Sequence, residues 1–205
     1  MNSLLKNTCI AAIALALATG ASATPVKTID NLKKAFAGET TAFSKYTQYA
    51  AVAKREGNLY AYNLFRAAAR AEGFHARNHK AVLEKYGVKD VQPSKYTGKV
   101  GTTAENLADA LKGESYERDT MYPEMIQTAK QEGAMDAVQT FTFAVTAEKA
   151  HAQFYGEALQ NAKAGKTQQP VAFLVCPRCG ETFRADAPAS CPVCQTPKER
   201  FNIIR

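Results

Sequence analysis

Two short segments of the chain repeat a Glu-x-x-His spacing that sets a carboxylate beside an imidazole. They are Glu72 with His75 and Glu148 with His151. Residues three apart on a helix lie on one face, so each pair points in one direction. Further carboxylates complete the set of candidate metal ligands: Glu39, Glu114 and Glu117. A dinuclear metal site inside a four-helix bundle uses such a ligand set: two helices each contribute a Glu, and the other two each contribute a Glu-x-x-His pair.

The elements that must position these ligands are four amphipathic helices, predicted over 26–57, 59–86, 102–133 and 134–164. Apolar residues recur there every three or four positions, and the candidate ligands lie in the apolar stripe. In the first helix the stripe consists of Leu32, Phe36, Glu39, Phe43, Tyr46 and Ala50. Carboxylates buried together cost several kcal/mol each unless cations neutralise them. The pattern therefore predicts two metal ions in the core of the bundle.

Local signals refine this prediction. Thr102 and Glu105 have the spacing of a capping box at the start of the third helix. Pro123 lies inside the same helix and is expected to bend it or to shift its hydrogen bonding. Residues 88–101 lack a helical period and are expected to be a crossover that lets the second and third helices run parallel. His79 follows His75 by one turn, and we expect it to hydrogen-bond near the site rather than to bind metal.

Ligation by several carboxylates with one imidazole per metal favours iron or manganese over zinc. Iron is preferred because the C-terminal segment suggests a supply of electrons. Tyr46 and Tyr122 are candidate catalytic residues. They would donate hydrogen bonds to bound oxygen species or to a ligand carboxylate, or else pack in the core with their hydroxyls satisfied.

The C-terminal segment carries two Cys-x-x-Cys motifs with eleven residues between them. Their cysteines are Cys176, Cys179, Cys191 and Cys194. In an oxidising compartment two disulfides would be the default, but this spacing is typical of a site where four thiolates bind one metal ion. Zinc and iron both accept such a site. Next to a dinuclear iron bundle, an iron centre that transfers electrons is the better interpretation.

Residues 1–23 are predicted to be a secretory signal peptide. Lys6 precedes an apolar run over 9–20, and the small residues at 21–23 fit a cleavage site. A retained N-terminal anchor is the alternative. Cleavage would leave an exported, periplasmic protein without a membrane attachment, divided into domains at 24–166 and 167–205. The formal charge of +7 comes from scattered Lys and Arg residues, so no nucleic-acid partner is expected.

The whole chain from about residue 29 onwards resembles the rubrerythrins. The motifs that carry the resemblance are Ala37-Gly38-Glu39, Glu72-Gly73-Phe74-His75, Gly113-Glu114-Ser115-Tyr116-Glu117, Met121-Tyr122-Pro123, Glu148-Lys149-Ala150-His151 and the two cysteine motifs. The resemblance implies a mainly α fold, with a ferritin-like four-helix bundle and a small rubredoxin-like domain after it.

The resemblance also implies roles for the candidate residues. Glu72 and Glu148 would bridge two irons. Glu39 would bind one iron, while Glu114 and His151 bind the other. Glu117 and His75 would exchange as ligands when the first iron changes oxidation state. Tyr46 and Tyr122 match tyrosines near the diiron site of the family.

The function implied by the resemblance is the reduction of hydrogen peroxide to water, with electrons that enter through a single iron bound by the four cysteines. Head-to-tail homodimers, in which one chain's tail lies near another chain's bundle, are also implied. An export signal would require an unidentified periplasmic electron donor, such as a cytochrome or a small redox protein. The alternatives are oxidation of ferrous iron, with a structural zinc in the tail, and a non-catalytic redox sensor.

Overall fold

The computed structural model describes residues 24–166 and 168–205, so the predicted signal peptide lies outside the described residues. The bundle consists of α1 (Val26–Arg55), α2 (Leu59–Lys85), α3 (Thr103–Tyr116), a π-helical turn (Glu117–Met121), α4 (Tyr122–Gln131) and α5 (Met135–Lys163). A small domain follows, with β1 (Phe173–Val175), β2 (Thr182–Arg184) and β3 (Asn202–Ile204). The chain is therefore a helical bundle with a small C-terminal domain, as predicted.

The connection between α2 and α3 runs along the length of the bundle beside α1. Ser94 donates its backbone N–H to Thr40 in the first half of α1, and Gln48 donates to the carbonyl of Tyr96. Thr103, at the start of α3, then donates to Glu56 at the end of α1. Since α2 begins next to that same end, α2 and α3 run in the same direction. The predicted crossover is confirmed.

The third predicted helix is divided by the π-helical turn directly before Pro123. Tyr122 donates its N–H to the carbonyl of Glu117, five residues earlier. Pro123 has no N–H to donate, so a wider turn at this point disturbs the hydrogen-bond ladder least. The predicted local shift in hydrogen bonding is confirmed. The capping box of Thr102 and Glu105 is also present, with each side chain bound to the other's backbone N–H.

The core of the bundle forms two apolar clusters, one towards each end. One contains Tyr46, Leu64, Phe65 and Tyr155, and the other contains Leu32, Leu83, Tyr122 and Phe141. The candidate metal ligands lie between them on the same helices. Within the described residues, no helix is long and apolar enough to cross a membrane.

One position of the predicted apolar stripe is wrong. Phe43 is 45% exposed, although it is one turn from Glu39. Its ring rests at the outer edge of the contact between α1 and α2, opposite Gly73, where no side chain fills the space. A stripe read from spacing alone is wider than the face that the neighbouring helices cover.

The small domain packs against the bundle of its own chain. The three strands form an antiparallel sheet in the order β2-β1-β3. Phe173 of β1 packs between Tyr60 of α2 and Phe154 of α5. Arg77 and Asn78 of α2 donate hydrogen bonds to backbone carbonyls of the first cysteine motif, at 2.6 and 2.7 Å. These contacts hold the cysteine motif against α2 of the same chain.

Candidate metal centres

Six of the seven candidate ligands in the bundle form two overlapping groups. One group is Glu39, Glu72, His75 and Glu148, and the other is Glu72, Glu114, Glu148 and His151. Within each group the potential ligand atoms all lie within 4.8 Å of one another. Glu72 and Glu148 belong to both groups, which is the position of carboxylates that bridge two ions. Each group adds one imidazole and one further carboxylate.

The two imidazoles face the carboxylates in the same way. Nδ1 of His75 lies 2.9 Å from Glu72 and 3.2 Å from Glu148. Nδ1 of His151 lies 2.8 Å from Glu148 and 3.5 Å from Glu114. All these side chains are at most 1% exposed. The site is therefore a closed compartment with one nitrogen donor at each end of a carboxylate cluster.

The carboxylates are under-coordinated in a way that cations would relieve. One oxygen of each carboxylate is buried without a hydrogen-bond partner in Glu39, Glu72, Glu114 and Glu148. Unpartnered buried oxygens of this kind are costly, and metal coordination satisfies them. The structure thus fits the predicted pair of metal ions.

The pKa values show how the cluster would hold protons in place of metal. Burial, together with the charges of Glu148 and Glu114, raises the pKa of Glu72 well above its usual value. Burial and the charge of Glu114 do the same for Glu148. Burial also opposes ionisation of Glu39, but hydrogen bonds and charge from His75 hold its pKa low. Without cations, the site would therefore keep protons on the two shared carboxylates.

The two candidate tyrosines bind the two unshared carboxylates. Tyr46 donates its hydroxyl proton to Glu114, and Tyr122 donates to Glu39. Burial, followed by the neighbouring carboxylate charges, raises the pKa of each hydroxyl well above its usual value, so both stay protonated donors. Of the roles considered from sequence, hydrogen bonding to a candidate ligand carboxylate is the one observed.

His79 lies beside the site rather than in either group. Its Nε2 is 3.1 Å from the Tyr122 hydroxyl, and its Nδ1 is 3.0 Å from the Thr140 hydroxyl. The prediction that His79 hydrogen-bonds near the site is confirmed. Glu117 also belongs to neither group and is half-buried. Burial and repulsion from Glu39 raise the pKa of Glu117 well above its usual value.

The four cysteines form a second compact group in the small domain. All four are free thiols and buried. The sulfurs of Cys176 and Cys194 are 3.4 Å apart, and those of Cys179 and Cys191 are 3.5 Å apart. A disulfide would need about 2.05 Å, whereas four sulfurs around one metal at about 2.3 Å are separated by about 3.8 Å. The spacing fits a tetrahedral metal site and not two disulfides.

The two centres meet at the histidines. His75 Nε2 lies 3.1 Å from the carbonyl oxygen of Cys179, and His151 Nε2 lies 2.9 Å from the hydroxyl of Thr182. A carbonyl only accepts, so His75 must donate from Nε2. Thr182 donates its own proton to the carbonyl of Gly180, so its oxygen accepts from His151. Both imidazoles therefore carry a proton on Nε2, and Nδ1 is the nitrogen that is left to bind metal.

Several residues of this arrangement were missed from sequence. Thr182 and Thr140 have no local signal, because they reach the histidines from distant segments. Tyr155 lies one turn after His151 in the apolar stripe of the fourth predicted helix, and only a role for its hydroxyl was missed. Its hydroxyl is buried without a partner beside the carboxylates. Glu181 is 8% exposed, and burial raises its pKa to about 7.

A four-helix bundle with a shared carboxylate and imidazole cluster, joined to a four-cysteine domain, defines a ferritin-like dinuclear protein with a rubredoxin-like module. The rubrerythrin family model matches residues 30–159. Rubrerythrin-1 of Clostridium acetobutylicum is 35% identical, over 87% of this chain and 94% of the relative. Nigerythrin of Nitratidesulfovibrio vulgaris is 35% identical, over 85% of each chain.

A solved structure of nigerythrin in a fully reduced, all-ferrous state superposes with a TM-score of 0.80 at 35% identity, covering 86% of each chain. The chain belongs to the rubrerythrin family. The donor sets described above and this membership assign iron to both centres, with two ions in the bundle and one among the cysteines.

Proposed function

We propose that the chain is a peroxidase that reduces hydrogen peroxide to water in the bundle, with electrons supplied through the four-cysteine iron centre. The observation that carries this proposal is the contact of His75, a candidate ligand of one centre, with the carbonyl of Cys179, a candidate ligand of the other. A protein that only stored iron would have no need of this link.

Reduction of one peroxide molecule to two water molecules consumes two electrons and two protons. The bundle donors Glu39, Glu72, Glu114 and Glu148, with His75 and His151, would hold two ferrous ions, and these would supply the two electrons for cleavage of the O–O bond.

The protein supplies the surroundings of this reaction. Tyr46 and Tyr122 hold protons at their hydroxyl oxygens, directly against Glu114 and Glu39. Their high pKa keeps them neutral, so they orient the carboxylates without adding negative charge. The closed compartment excludes bulk water and strengthens these hydrogen bonds.

The small domain supplies the electron route. The covalent path from the Cys179 sulfur to its own carbonyl, and the 3.1 Å hydrogen bond from there to His75, connect the two centres without a gap. Arg77 and Asn78 hold the cysteine motif next to the bundle donors of the same chain.

The test is to purify the chain, to measure iron and zinc per chain, and to record its visible spectrum as isolated, after reduction and after peroxide. We expect iron in both centres, and a four-cysteine iron colour that bleaches on reduction and returns when peroxide is added. Zinc in the tail, with iron oxidation in the bundle, would contradict the proposal and favour the iron oxidase.

We also propose that the chain is exported and that its electron donor is a periplasmic redox protein. Residues 1–23 support this by composition, with an apolar run that precedes small residues. Expression of the full chain, with sequencing of the N-terminus of the periplasmic form, tests it. A mature protein that starts near Thr24 is expected, and a cytoplasmic chain that starts at Met1 would contradict export.

A further inference from the structure

A cavity of about 370 Å³ opens on the surface between α1 and the start of the π-helical turn. The residues that line it include Gly38, Thr41, Lys45, Tyr46 and Glu117. Tyr46 is only 2% exposed and donates directly to Glu114 of the metal cluster. The cavity therefore leads from solvent to a side chain that contacts a candidate ligand.

A small molecule needs such a path, because the metal cluster itself is closed. The carboxylates and imidazoles of the two groups are at most 1% exposed, so no reactant reaches them directly from solvent. Glu117 is the candidate ligand that remains half-buried, and it borders the cavity. Tyr46 connects the cavity to the cluster, because it lines the cavity and its hydroxyl donates to Glu114.

The wall of the cavity suits a small, polar molecule. Lys45 places its ammonium 5.1 Å from the centre of the Tyr46 ring, where Asp109 holds it at 3.2 Å. Ala37 and Ala42 complete the wall on α1, and Tyr96 and Gly113 line the rest of the cavity. A Cβ added at Gly38 would meet nothing within 4 Å. A larger side chain at position 38 therefore has room to project without disturbing the backbone.

We propose that this cavity is the path by which peroxide reaches the metal cluster, and that a large side chain at position 38 would narrow it. The identity of the substrate rests on the proposed function, but the path itself would serve any molecule of similar size. Azide, a small anion that binds exposed positions on iron, is therefore a probe of the path that does not depend on turnover.

The experiment compares Gly38→Leu with Gly38→Ala and with Ala51→Leu, a control that places the same side chain at an exposed position of α1. For each iron-loaded protein we would measure kcat/KM for hydrogen peroxide and for tert-butyl hydroperoxide, and the association rate of azide by absorbance. We expect Gly38→Leu to lower the hydrogen peroxide and azide constants about tenfold. Gly38→Ala should lower kcat/KM for hydrogen peroxide less than Gly38→Leu does. It should lower kcat/KM for the bulkier tert-butyl hydroperoxide more than that for hydrogen peroxide.

Helix formation does not suffer from these changes, since either residue favours helix over glycine. If Gly38→Leu nevertheless loses iron, Thr41→Leu blocks the same wall one turn away, and the same rates are measured on it. If Gly38→Leu or Thr41→Leu retains its iron and still shows the same kcat/KM values and azide association rate as Ala51→Leu, the inference is overturned. If the unmodified protein reduces no peroxide, yet azide binding still slows in Gly38→Leu, the proposed function fails while the path stands.

Discussion

The bundle site and the four-cysteine site solve the same problem, binding of metal in a protein interior, in opposite ways. The cysteines come from 19 consecutive positions, 176–194, and two tight backbone turns bring them together. The bundle donors come from positions 39–151, and only the packing of the helices brings them together. The bundle site is therefore a product of the whole fold, whereas the cysteine site is a product of local sequence.

The apolar surroundings of the two sites differ accordingly. The bundle has large clusters of buried aromatic and aliphatic residues on both sides of its donors. In the small domain, the buried cluster consists mainly of the cysteines themselves with Leu174, Ala187 and Phe201. A core of that size is too small to fold without a cross-link such as a bound metal ion, so the metal must supply much of the stability of this domain. The bundle should instead fold without metal, at the cost of buried protons.

The largest difference between the two sites is expected when a carboxylate shared by both metal groups is removed. Glu72→Gln keeps the shape but removes a charge that belongs to both groups, so we expect loss of iron from the bundle and about a thousandfold fall in peroxide turnover. The four-cysteine colour should persist, because its donors are local. Glu84→Gln, at an exposed position of the same helix, is the matched control and should change neither. Loss of both iron centres in Glu72→Gln would mean that the two sites fold as one unit.

A second change separates the two centres without removing a ligand. Gly180 has a φ of 80°, and a Cβ there would overlap His75 Nε2. Gly180→Ala should therefore push the cysteine motif away from α2 and slow reoxidation of the four-cysteine iron by peroxide about tenfold. Gly165→Ala is the control, since its φ is also positive but its surroundings are open. Equal rates in the two variants, measured by stopped-flow absorbance, would show that the contact does not carry the electrons.

A smaller effect is expected from the hydroxyl that fixes the tautomer of His151. Thr182→Val removes the acceptor at 2.9 Å, so His151 can place its proton on Nδ1 and lose its metal lone pair. We expect iron affinity at the bundle to fall about tenfold, the lower end for lost partners of metal-bound histidines. Thr182→Ser should restore it. Competition with a chelator gives the affinity, and an unchanged value in Thr182→Val would contradict this role.

The smallest expected effect is the pH dependence of stability in the metal-free bundle. The folded pKa values of Glu72, Glu148 and the two histidines are raised, so the folded state binds more protons than the unfolded state above the ordinary carboxyl pKa. We therefore expect stability to fall as pH rises. The lowered pKa of the buried His79 opposes this in part, and the lowered pKa values of Glu39 and Glu114 act only at more acidic pH.

This loss is measured by thermal unfolding of a chain freed of metal. Between about pH 5 and about pH 8 we expect the Tm of the helical signal to fall by about 5 °C. The iron-loaded protein should show little of this change, because the carboxylates are then neutralised by metal. A metal-free Tm that rises over the same interval would show that the cluster does not retain protons.

Both sites could be predicted from sequence, for different reasons. The cysteine motifs are local, and the bundle donors repeat with the helical period, so Glu39, Glu72 and Glu148 stand out in an apolar stripe. Phe43 shares that period and is nevertheless exposed, because period does not tell how much of a helix its neighbours cover. The contacts of Cys179 and Thr182 with the histidines join segments about a hundred and about thirty residues apart. No local pattern encodes them, so docking of the tail on its own bundle is visible only in the structure.

We propose that one chain contains both the peroxide site and the electron path to it. The direct test is to co-express Glu72→Gln, which lacks the bundle site, with Cys191→Ser, which lacks the four-cysteine site, and to measure peroxide turnover of the mixed assemblies. With the path inside one chain, the mixture should be no more active than either variant alone. Recovery of a substantial share of the unmodified activity on mixing would show that electrons pass between chains, and would contradict the account.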